Sequence, residues 1–353
     1  MDTTTPLDQR MLASATGTLE LFGVYLGDRL GLYRALHDGG PHTPPTLAAA
    51  CGIHPRYARE WLEQQAVAGF LAVEDPAAPA DERRYALPAA HAGVLVDPGD
   101  PAHLAPLARM VVGIAGVLGE VVEAYRTGGG VPFTRYGPDV RDGQGAINRP
   151  AFSTALVHDW LPAVPGLVDR LRAGGRVLDL GCGQGFAAIA VARAFPGAEV
   201  WGIDADPPSI EDARATAKAE DLRVRFACAD ATAVAEHGPF DLVLLVEVLH
   251  DLAHPVDVLR GARRALAADG VVLVVDELVA PAFTAPGTQL ERMMYGWSIS
   301  HCLPTQMTEP DSAAIGTVIR ESTVRRVAAD AGYSRVDVLD VDGGFFRLYA
   351  VRP

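Results

Sequence analysis

The segment RVLDLGCGQG at residues 176–185 constrains the fold more than any other part of the chain. It is a short apolar run, typical of a buried strand, that leads into Gly181, Gly183 and Gly185 and then into a helical pattern from Phe186. Glycines permit the sharp backbone turn and let a ligand approach the backbone without meeting a Cβ atom. Ligands of open α/β sheets bind at such strand ends, so the segment predicts a ligand-binding strand-loop-helix unit.

The chain after Pro150 alternates short runs rich in Val, Leu and Ile with helical stretches, which is typical of a parallel sheet. Five strands are predicted at residues 176–180, 199–203, 223–227, 241–246 and 271–275. Two more, at 335–339 and 345–351, follow a helix that starts near Thr323. The predicted fold class is therefore α/β, with a seven-stranded Rossmann-like domain at residues 151–353.

The amino-terminal part has a different pattern. From Thr43 a helix, a break at Gly52 and a second helix from about Pro55 precede two strand-like pieces, the order of a helix-turn-helix with a wing. We predict a mostly α-helical winged-helix domain at residues 1–110. Residues 111–150 are predicted to form a helix and a glycine-rich connector, a loop that either acts as a lid, with Phe133 and Tyr136 reaching the site, or is a solvated linker.

A winged helix raises the possibility of DNA binding, but the charges disfavour it. The chain has 44 acidic and 30 basic residues, for a formal net charge of −14, which repels a phosphate backbone. The second helix carries Arg56 and Arg59 together with Glu60 and Glu63. No nucleic-acid partner is expected, and a dimerisation and substrate-lid role is favoured for this domain.

Other classes of site and location are disfavoured in the same way. Cys51, Cys182, Cys228 and Cys302 are far apart and lack the spacing of a zinc or iron-sulfur motif, so no metal is predicted. The chain contains no basic segment followed by an apolar one at its start, and no apolar run of about 18 residues. We expect a cytoplasmic protein with no membrane partner.

The glycine loop itself separates two cofactor classes. A dinucleotide-binding loop would follow G-x-G-x-x-G/A and place a small residue at position 186, where this chain has Phe186. This disfavours a nicotinamide-dependent oxidoreductase. The pattern D-x-G-x-G-x-G, which starts at Asp179, resembles the first motif of class I S-adenosylmethionine-dependent methyltransferases. The resemblance implies that the loop cradles the methionine portion of the cofactor and that Asp179 helps to hold its ammonium group.

Later positions agree with that resemblance. Asp204 follows the second strand, where a carboxylate can accept both ribose hydroxyls of a nucleoside. Asp230 matches the family residue that pairs with the adenine amino group, and Glu247 falls where the family chain passes beside the cofactor. Trp160 lies on a helix that covers the methionine end in related enzymes, or belongs to the core. Each aspartate taken alone has another reading, because aspartate commonly caps the helix after a strand.

His250 and Asp251 follow the fourth strand, at the edge of the sheet where a methyl acceptor would enter. The pair resembles the His-Asp step of plant-type small-molecule O-methyltransferases, which implies that His250 acts as a general base. In that family an aromatic residue follows the pair and a second acid supports the histidine. Here Leu252 follows, and no second acid can be assigned from the sequence. The alternative is a structural, hydrogen-bonding role for His250.

The segment at residues 281–319 is predicted to be a substrate-lid insertion between the fifth strand and the last helix. It carries Met294, Tyr295, Trp297 and His301, a set suited to an apolar acceptor pocket in which His301 orients or deprotonates the acceptor. Packing between domains or across a dimer is the other reading. The remaining candidate substrate contact is His158, on the helix before the sheet domain.

Taken over nearly its whole length, the chain resembles actinobacterial winged-helix class I methyltransferases. The resemblance implies methyl transfer from S-adenosyl-L-methionine, with S-adenosyl-L-homocysteine as product, to O, N or C of a small aromatic natural product. It also implies a homodimer formed through the amino-terminal domain. The alternative is a winged-helix transcriptional regulator that senses S-adenosylmethionine without catalysis. The acceptor itself is not fixed by the sequence.

Overall fold

A computed structural model describes residues 5–353, without the side chains of residues 233, 235 and 236. The described chain divides into two compact units. The amino-terminal unit runs up to Ala115 and includes Pro138–Pro150, and the carboxy-terminal unit comprises Gly116–Gly137 and Ala151–Pro353. Residues 1–4 of the predicted domain 1–110 lie outside the described residues.

The amino-terminal unit is a helix-turn-helix with a wing, as predicted. Its elements are α1 (Leu7–Arg29), α2 (Leu32–Gly39), α3 (Pro44–Cys51), α4 (Pro55–Val67), β1 (Ala72–Val73), β2 (Tyr85–Ala86) and α5 (Ala89–Leu95). Thr43 and Thr46 form a reciprocal cap at the start of α3, and Gly52 ends that helix with a positive φ of 66°. Strands β1 and β2 pair antiparallel to make the wing.

Two glycines of α1 are explained by packing within this unit. The Trp61 indole N–H donates to the carbonyl of Gly23 at 2.8 Å, and the Trp61 and Tyr33 rings meet edge to face at 5.1 Å. A Cβ atom at Gly27 would lie within 2.6 Å of both rings. The glycines therefore let α4 approach α1 closely, and α1 continues through both of them.

The prediction of a loop at residues 127–150, within the segment 111–150, was wrong for most of its length. Helix α6 spans Pro106–Thr127, a short 3₁₀ helix covers Phe133–Arg135, and α7 runs over Gly137–Pro150. Gly143 is inside α7 because a Cβ atom there would lie 2.9 Å from the Met110 side chain. A glycine that serves close helix packing has the same sequence signature as a glycine in a loop.

The cations of the winged helix are paired with carboxylates. Arg56 of α4 pairs with Glu60, Arg59 with Asp81, Arg83 with Glu63 and Arg84 with Glu74. Surface pairs of this kind contribute little to stability. They do leave α4 and the wing with no excess positive charge to attract phosphate.

The carboxy-terminal unit contains the seven-stranded sheet, in the order β5-β4-β3-β6-β7-β9-β8. Its strands are β3 (Arg176–Leu180), β4 (Glu199–Asp204), β5 (Val224–Cys228), β6 (Phe240–Val246), β7 (Leu266–Glu277), β8 (Arg335–Val338) and β9 (Phe346–Arg352). The helices are a π-type helix at Ala151–Trp160, α8 (Leu167–Arg172), α9 (Phe186–Ala194), α10 (Pro207–Ala219), a 3₁₀ turn at Ala231–Glu236, α11 (Pro255–Ala265), α12 (Gln289–Trp297), a π-type turn at Ser298–Cys302, α13 (Leu303–Gln306) and α14 (Glu321–Asp330). All seven predicted strands are present, although β7 starts well before the predicted residue 271.

The sheet places its binding edge between β3 and β6. Strand β3 pairs in parallel with β4 on one side and with β6 on the other, and β9 is antiparallel to both of its neighbours. The chain order therefore reverses between β3 and β6, which is where ligands bind in doubly wound sheets. Alternate residues such as Val177 and Leu178 enter the apolar cores on opposite faces of the sheet.

No helix within residues 5–353 combines the length and the apolar character required to cross a lipid bilayer.

Candidate active site

The glycine loop after β3 uses its three glycines for two purposes. Gly181, Gly183 and Gly185 all have positive φ, at 74°, 50° and 78°. A Cβ atom at Gly181 would lie 2.6 Å from Val248, and one at Gly185 would lie 2.8 Å from the Phe226 ring. A Cβ atom at Gly183 would meet nothing within 4 Å. Gly181 and Gly185 therefore allow internal packing, whereas Gly183 borders open space that a ligand can use.

Asp204 holds the loop in place from the end of β4. Its Oδ2 accepts the N–H of Gly183 at 2.7 Å, and its Oδ1 accepts the N–H of Asp206 at 2.8 Å. Burial raises the pKa of this carboxyl. Because each carboxylate oxygen has a second lone pair, Asp204 retains acceptor capacity for the hydroxyls of a nucleoside.

Asp179 is more deeply buried than its predicted role suggests. It is only 2% exposed, and its Oδ2 accepts the N–H of Ala188 in the first turn of α9 at 3.0 Å. Burial raises its pKa to about 7. Asp179 therefore joins the end of β3 to the start of α9, and its contact with an ammonium group stays a prediction.

The remaining predicted cofactor residues lie in unlike surroundings. Asp230 is exposed and caps the turn that follows β5, accepting the N–H of Thr232 at 2.8 Å. Trp160 is 1% exposed, and its indole N–H lies 3.3 Å from the carbonyl of Asp342, so the structure places it in the core. A cofactor contact of Trp160 stays a prediction without support from its burial.

Glu247 marks a special backbone position directly after β6. Its φ is 59°, a left-handed conformation that costs energy for a residue with a side chain, and its N–H donates to Val275 at 2.8 Å. Burial raises the pKa of this carboxyl to about 7. The backbone turns here toward His250, so the conformation of Glu247 sets the path of the histidine loop.

His250 is held by a carboxylate that the sequence did not identify. Its Nδ1 lies 2.7 Å from Oδ1 of Asp276, and its backbone N–H donates to Oδ2 of the same residue at 3.2 Å. Asp276 is fully buried at the end of β7, and its Oδ1 also accepts the N–H of Glu277 at 3.0 Å. A carboxylate at this distance requires a proton on Nδ1, which leaves Nε2 as the reactive nitrogen.

The second nitrogen of His250 also faces an acid. Nε2 lies 3.3 Å from Oδ1 of Asp251. Burial disfavours a charge on the His250 ring, but the neighbouring Asp251 and Asp276 carboxylates outweigh it and raise the pKa well above 6.5. The amide of Gln306, in α13, donates to the carbonyl of His250 and so ties the insertion to the histidine loop.

The pair Asp276 and Glu277 is the main component that sequence reasoning missed. Burial, followed by the nearby Glu247 carboxyl, raises the pKa of Glu277 to about 10. The signal was present in VVLVVDE, residues 271–277, because two acids that end an otherwise apolar strand lie at the binding edge of the sheet. What the sequence could not give was the pairing that brings this strand end to His250.

The insertion contributes a second histidine in a different environment. His301 is 4% exposed, and burial lowers its pKa, so the ring is neutral. Its Nε2 makes no hydrogen bond to any residue that the structure describes, and its Nδ1 lies 3.6 Å from the Cys302 sulfur. The Tyr136 ring meets it edge-on at 4.5 Å and Phe133 lies at 5.9 Å. The structure thus brings Phe133 and Tyr136 to His301.

The other predicted acceptor contacts are less concentrated. Met294 is buried within α12, Trp297 is half-buried, and Tyr295 is partly exposed with its hydroxyl 3.5 Å from Arg320. His158 lies on an exposed face of the π-type helix. Among the described residues, the structure shows no contact of His158 with His250 or His301.

Comparison with known proteins shows that the chain is similar to methyltransferases. Residues 171–326 match the family model described as a methyltransferase domain, and residues 18–97 match the Rv2258c-like winged HTH domain. The chain is 28% identical over 339 residues to the acetylserotonin O-methyltransferase of Mus musculus, covering 89% of this chain and 80% of that protein.

Solved structures share the fold over almost the entire chain. The structure of human N-acetylserotonin methyltransferase in complex with SAM has a TM-score of 0.73 at 19% identity and covers 100% of this chain and 99% of that one. The mitomycin 7-O-methyltransferase MmcR has a TM-score of 0.69 at 22% identity, with coverage of 98% and 97%. At these identities the likeness shows the fold.

Proposed function

This chain is a methyltransferase in which a winged helix-turn-helix domain precedes a Rossmann-like domain, and from that premise we propose that it methylates a hydroxyl oxygen of a small aromatic molecule. The methyl donor is S-adenosylmethionine. The observation that carries the proposal is the pair formed by His250 and the buried Asp276, 2.7 Å apart at the binding edge of the sheet. An acceptor hydroxyl must lose a proton, and such a pair is suited to take it.

The residues present fit the cofactor. The open space beside Gly183 and the spare acceptor capacity of Asp204 suit a nucleoside with a flexible amino-acid chain. Asp230 is exposed at the end of the next strand, and we assign to it the contact with the adenine base. When bound, S-adenosylmethionine would supply the methyl group of its sulfonium, with S-adenosylhomocysteine as the leaving group.

The protein's part in the reaction is alignment and proton transfer. We assign the role of general base to Nε2 of His250, which takes the proton of the acceptor hydroxyl. Asp276 holds the Nδ1 proton and so fixes the ring and stabilises the imidazolium that forms. The Asp251 side chain, 3.3 Å from Nε2 in the structure, must move away so that the acceptor hydroxyl can reach that nitrogen. General-base catalysis of this kind typically increases the rate about 10²–10⁴-fold.

His301 has a complementary role in this proposal. Its free Nε2 and neutral ring suit it to orient the acceptor, while Tyr136 and Phe133 line the same region with aromatic surface. Aromatic walls favour a flat, apolar acceptor. The names of the mouse and mitomycin relatives, both O-methyltransferases, support oxygen over nitrogen or carbon.

We further propose that the protein is a homodimer formed through its amino-terminal unit. Helix α1 exposes large apolar side chains at helical spacing, namely Leu7, Met11, Leu19, Phe22 and Leu26, each at least 37% exposed. A stripe of this length on a helix surface is costly in water unless a partner covers it. The stripe of a second copy has the matching chemistry, and two-fold symmetry is the commonest arrangement of such pairs. Leu19→Glu should therefore shift the mass measured by light scattering from that of a dimer to that of a monomer. A variant that remains dimeric would show that the interface lies elsewhere.

Calorimetric titration of the purified protein tests the cofactor first. S-Adenosylmethionine and S-adenosylhomocysteine should bind and NAD should not, and Gly183→Arg should abolish binding because the side chain fills the open space. Retained affinity in this variant would refute the site assignment. With binding established, label from the methyl of S-adenosylmethionine is followed into a panel of phenols, anilines and carbon acids. Transfer to nitrogen or carbon alone would refute the proposed oxygen acceptor.

A further inference from the structure

Three potential metal ligands meet in the carboxy-terminal unit although they are far apart in sequence. His250, Asp251 and Cys302 each offer one ligand atom, and these atoms all lie within 4.8 Å of one another. One pair, Nε2 of His250 and Oδ1 of Asp251, is 3.3 Å apart. Ligands at roughly 2.0–2.3 Å around a tetrahedral Zn²⁺ are separated by somewhat more than 3 Å, so little movement is needed to close the site.

The groups around the cluster are those of a zinc site. An imidazole, a thiolate and a carboxylate are all established zinc ligands, and three protein ligands leave a fourth position open. The opposite nitrogen of His250 is bound to Asp276 at 2.7 Å. Metal-binding histidines regularly donate their other N–H to a carboxylate in this way, which fixes the tautomer and strengthens the ligand.

A second observation points independently to an absent ligand. Oδ1 of Asp251 is buried and forms an ion pair with Nε2 of His250 at 3.3 Å, but no described residue donates a well-directed hydrogen bond to it. Nε2 of His301, the residue next to Cys302, is also buried with no hydrogen-bond partner in the part of the chain that the structure describes. Buried polar atoms without partners are rare and call for an explanation such as a bound ion or ligand.

We propose that His250, Asp251 and Cys302 form a reversible Zn²⁺ site whose occupation switches methyl transfer off. On binding, zinc replaces the proton on Nε2 of His250 and the proton of the Cys302 thiol, both of which pass to the buffer. No oxidant or reductant is involved. Because zinc takes the lone pair that would accept the acceptor's proton, the metal-bound protein cannot deprotonate a hydroxyl.

The absence of a metal motif from the sequence does not oppose this site. Zinc motifs are recognised by closely spaced Cys and His residues. Here His250 and Asp251 come from the loop after β6 and Cys302 from the insertion, and the Gln306 amide, which donates to the His250 carbonyl, keeps the two segments together. The cluster is a product of tertiary structure and leaves no local spacing to find.

The direct test is titration of chelator-treated protein with Co²⁺, which reports its ligands in the absorption spectrum. One equivalent should give a thiolate-to-cobalt charge-transfer band together with intense visible bands typical of four-coordinate cobalt. Cys302→Ser should lose the charge-transfer band and weaken binding at least tenfold. Cys228→Ser removes an exposed thiol and is the matched control that should retain both. No band, or a band lost in the control and kept in Cys302→Ser, would overturn the proposal.

Two further measurements distinguish loss of the metal site from misfolding of a variant and from failure of the proposed function. Asp276→Asn leaves all three ligands in place and should weaken Co²⁺ binding about 10–100-fold, because the supporting carboxylate is gone; unchanged affinity would contradict the arrangement. The cobalt spectra need no methyl acceptor, so they stand even if the assigned reaction is wrong. Once an acceptor is known, Zn²⁺ should inhibit the wild type and Cys228→Ser, with EDTA restoring the rate, and should spare Cys302→Ser. Equal inhibition of all three proteins would show that zinc acts elsewhere.

Discussion

His250 and His301 of the carboxy-terminal unit are both buried but have opposite electrostatic surroundings. His250 follows a sheet strand and lies between Asp251 and Asp276, which raise its pKa well above 6.5 despite burial. His301 belongs to the insertion, packs against Tyr136 and Phe133, and has a pKa that burial lowers. The contrast shows that burial alone does not set the charge of a histidine, because adjacent carboxylates reverse its effect.

This difference separates the possible roles of the two rings. In the proposed mechanism His250 starts charged and becomes a base only after losing a proton, and Asp276 then stabilises the charge that returns on proton transfer. His301 is neutral and its Nε2 has no hydrogen-bond partner among the described residues, so it can form a hydrogen bond, but burial outweighs the nearby Asp251 carboxylate and disfavours an imidazolium.

Removal of the base should have the largest effect. His250→Ala should lower kcat by about 10²–10⁴-fold, because the variant removes the nitrogen that takes the proton of the acceptor together with its link to Asp276. Binding of S-adenosylmethionine, measured by calorimetry, should change little, which separates chemistry from loss of the fold. A rate close to that of the wild type would mean that the acceptor arrives already ionised or reacts at carbon.

Asp276→Asn should come next, with a loss of about 10²-fold in kcat from the wrong ring tautomer and the missing countercharge. It should also lower the pKa of His250, since one of the two carboxylates that raise it is gone. The matched control is Asp337→Asn at β8, which removes a carboxylate that pairs with Arg335 and Arg352 away from the site. Equal losses in both variants would indicate a general effect of carboxylate removal.

The pH dependence distinguishes the two histidines without mutation. The active base is the neutral ring, so kcat/KM should rise with pH, about tenfold per unit, until the base has lost its proton. If His250 is the base, its raised pKa places this limb above pH 6.5; if His301 is the base, its lowered pKa places the limb below pH 6.5. The profile is measured in the presence of a chelator, and a rate that is flat above pH 6.5 would contradict the assignment to His250.

The sequence predicted the glycine loop and the sheet better than the catalytic cluster. Residues 176–185 carry their own evidence, because the glycines, the apolar strand and the following helix are adjacent in the chain. The sequence did not reveal that only Gly183 borders open space, since that depends on the side chains of Val248 and Phe226. Local patterns predict local structure, and the division of roles among the glycines is tertiary.

The cluster around His250 was only partly predictable from the sequence, for the same reason. His250 and Asp251 are adjacent in sequence and were identified, whereas Asp276 reaches His250 through the pairing of β6 with β7. The opposite error was made at Gly137–Pro150, where a helix was predicted to be a loop. Its glycines and polar residues suggested a loop, but Gly143 serves packing against Met110. In both cases the deciding contact joins residues more than 20 positions apart.

His301→Phe should have the smallest effect and is the sharpest test of the comparison. Phenylalanine suits the aromatic surroundings of Tyr136 and Phe133 and removes only the polar atoms of the ring. If His301 orients the acceptor through one hydrogen bond, worth about 0.5–1.5 kcal/mol, the variant should raise KM roughly 2–10-fold and leave the pH limb in place. A smaller change would make His301 a packing residue. A loss of kcat as large as that of His250→Ala, together with disappearance of the pH limb, would transfer the role of base to His301 and reduce His250 and Asp276 to a buried ion pair that positions the loop.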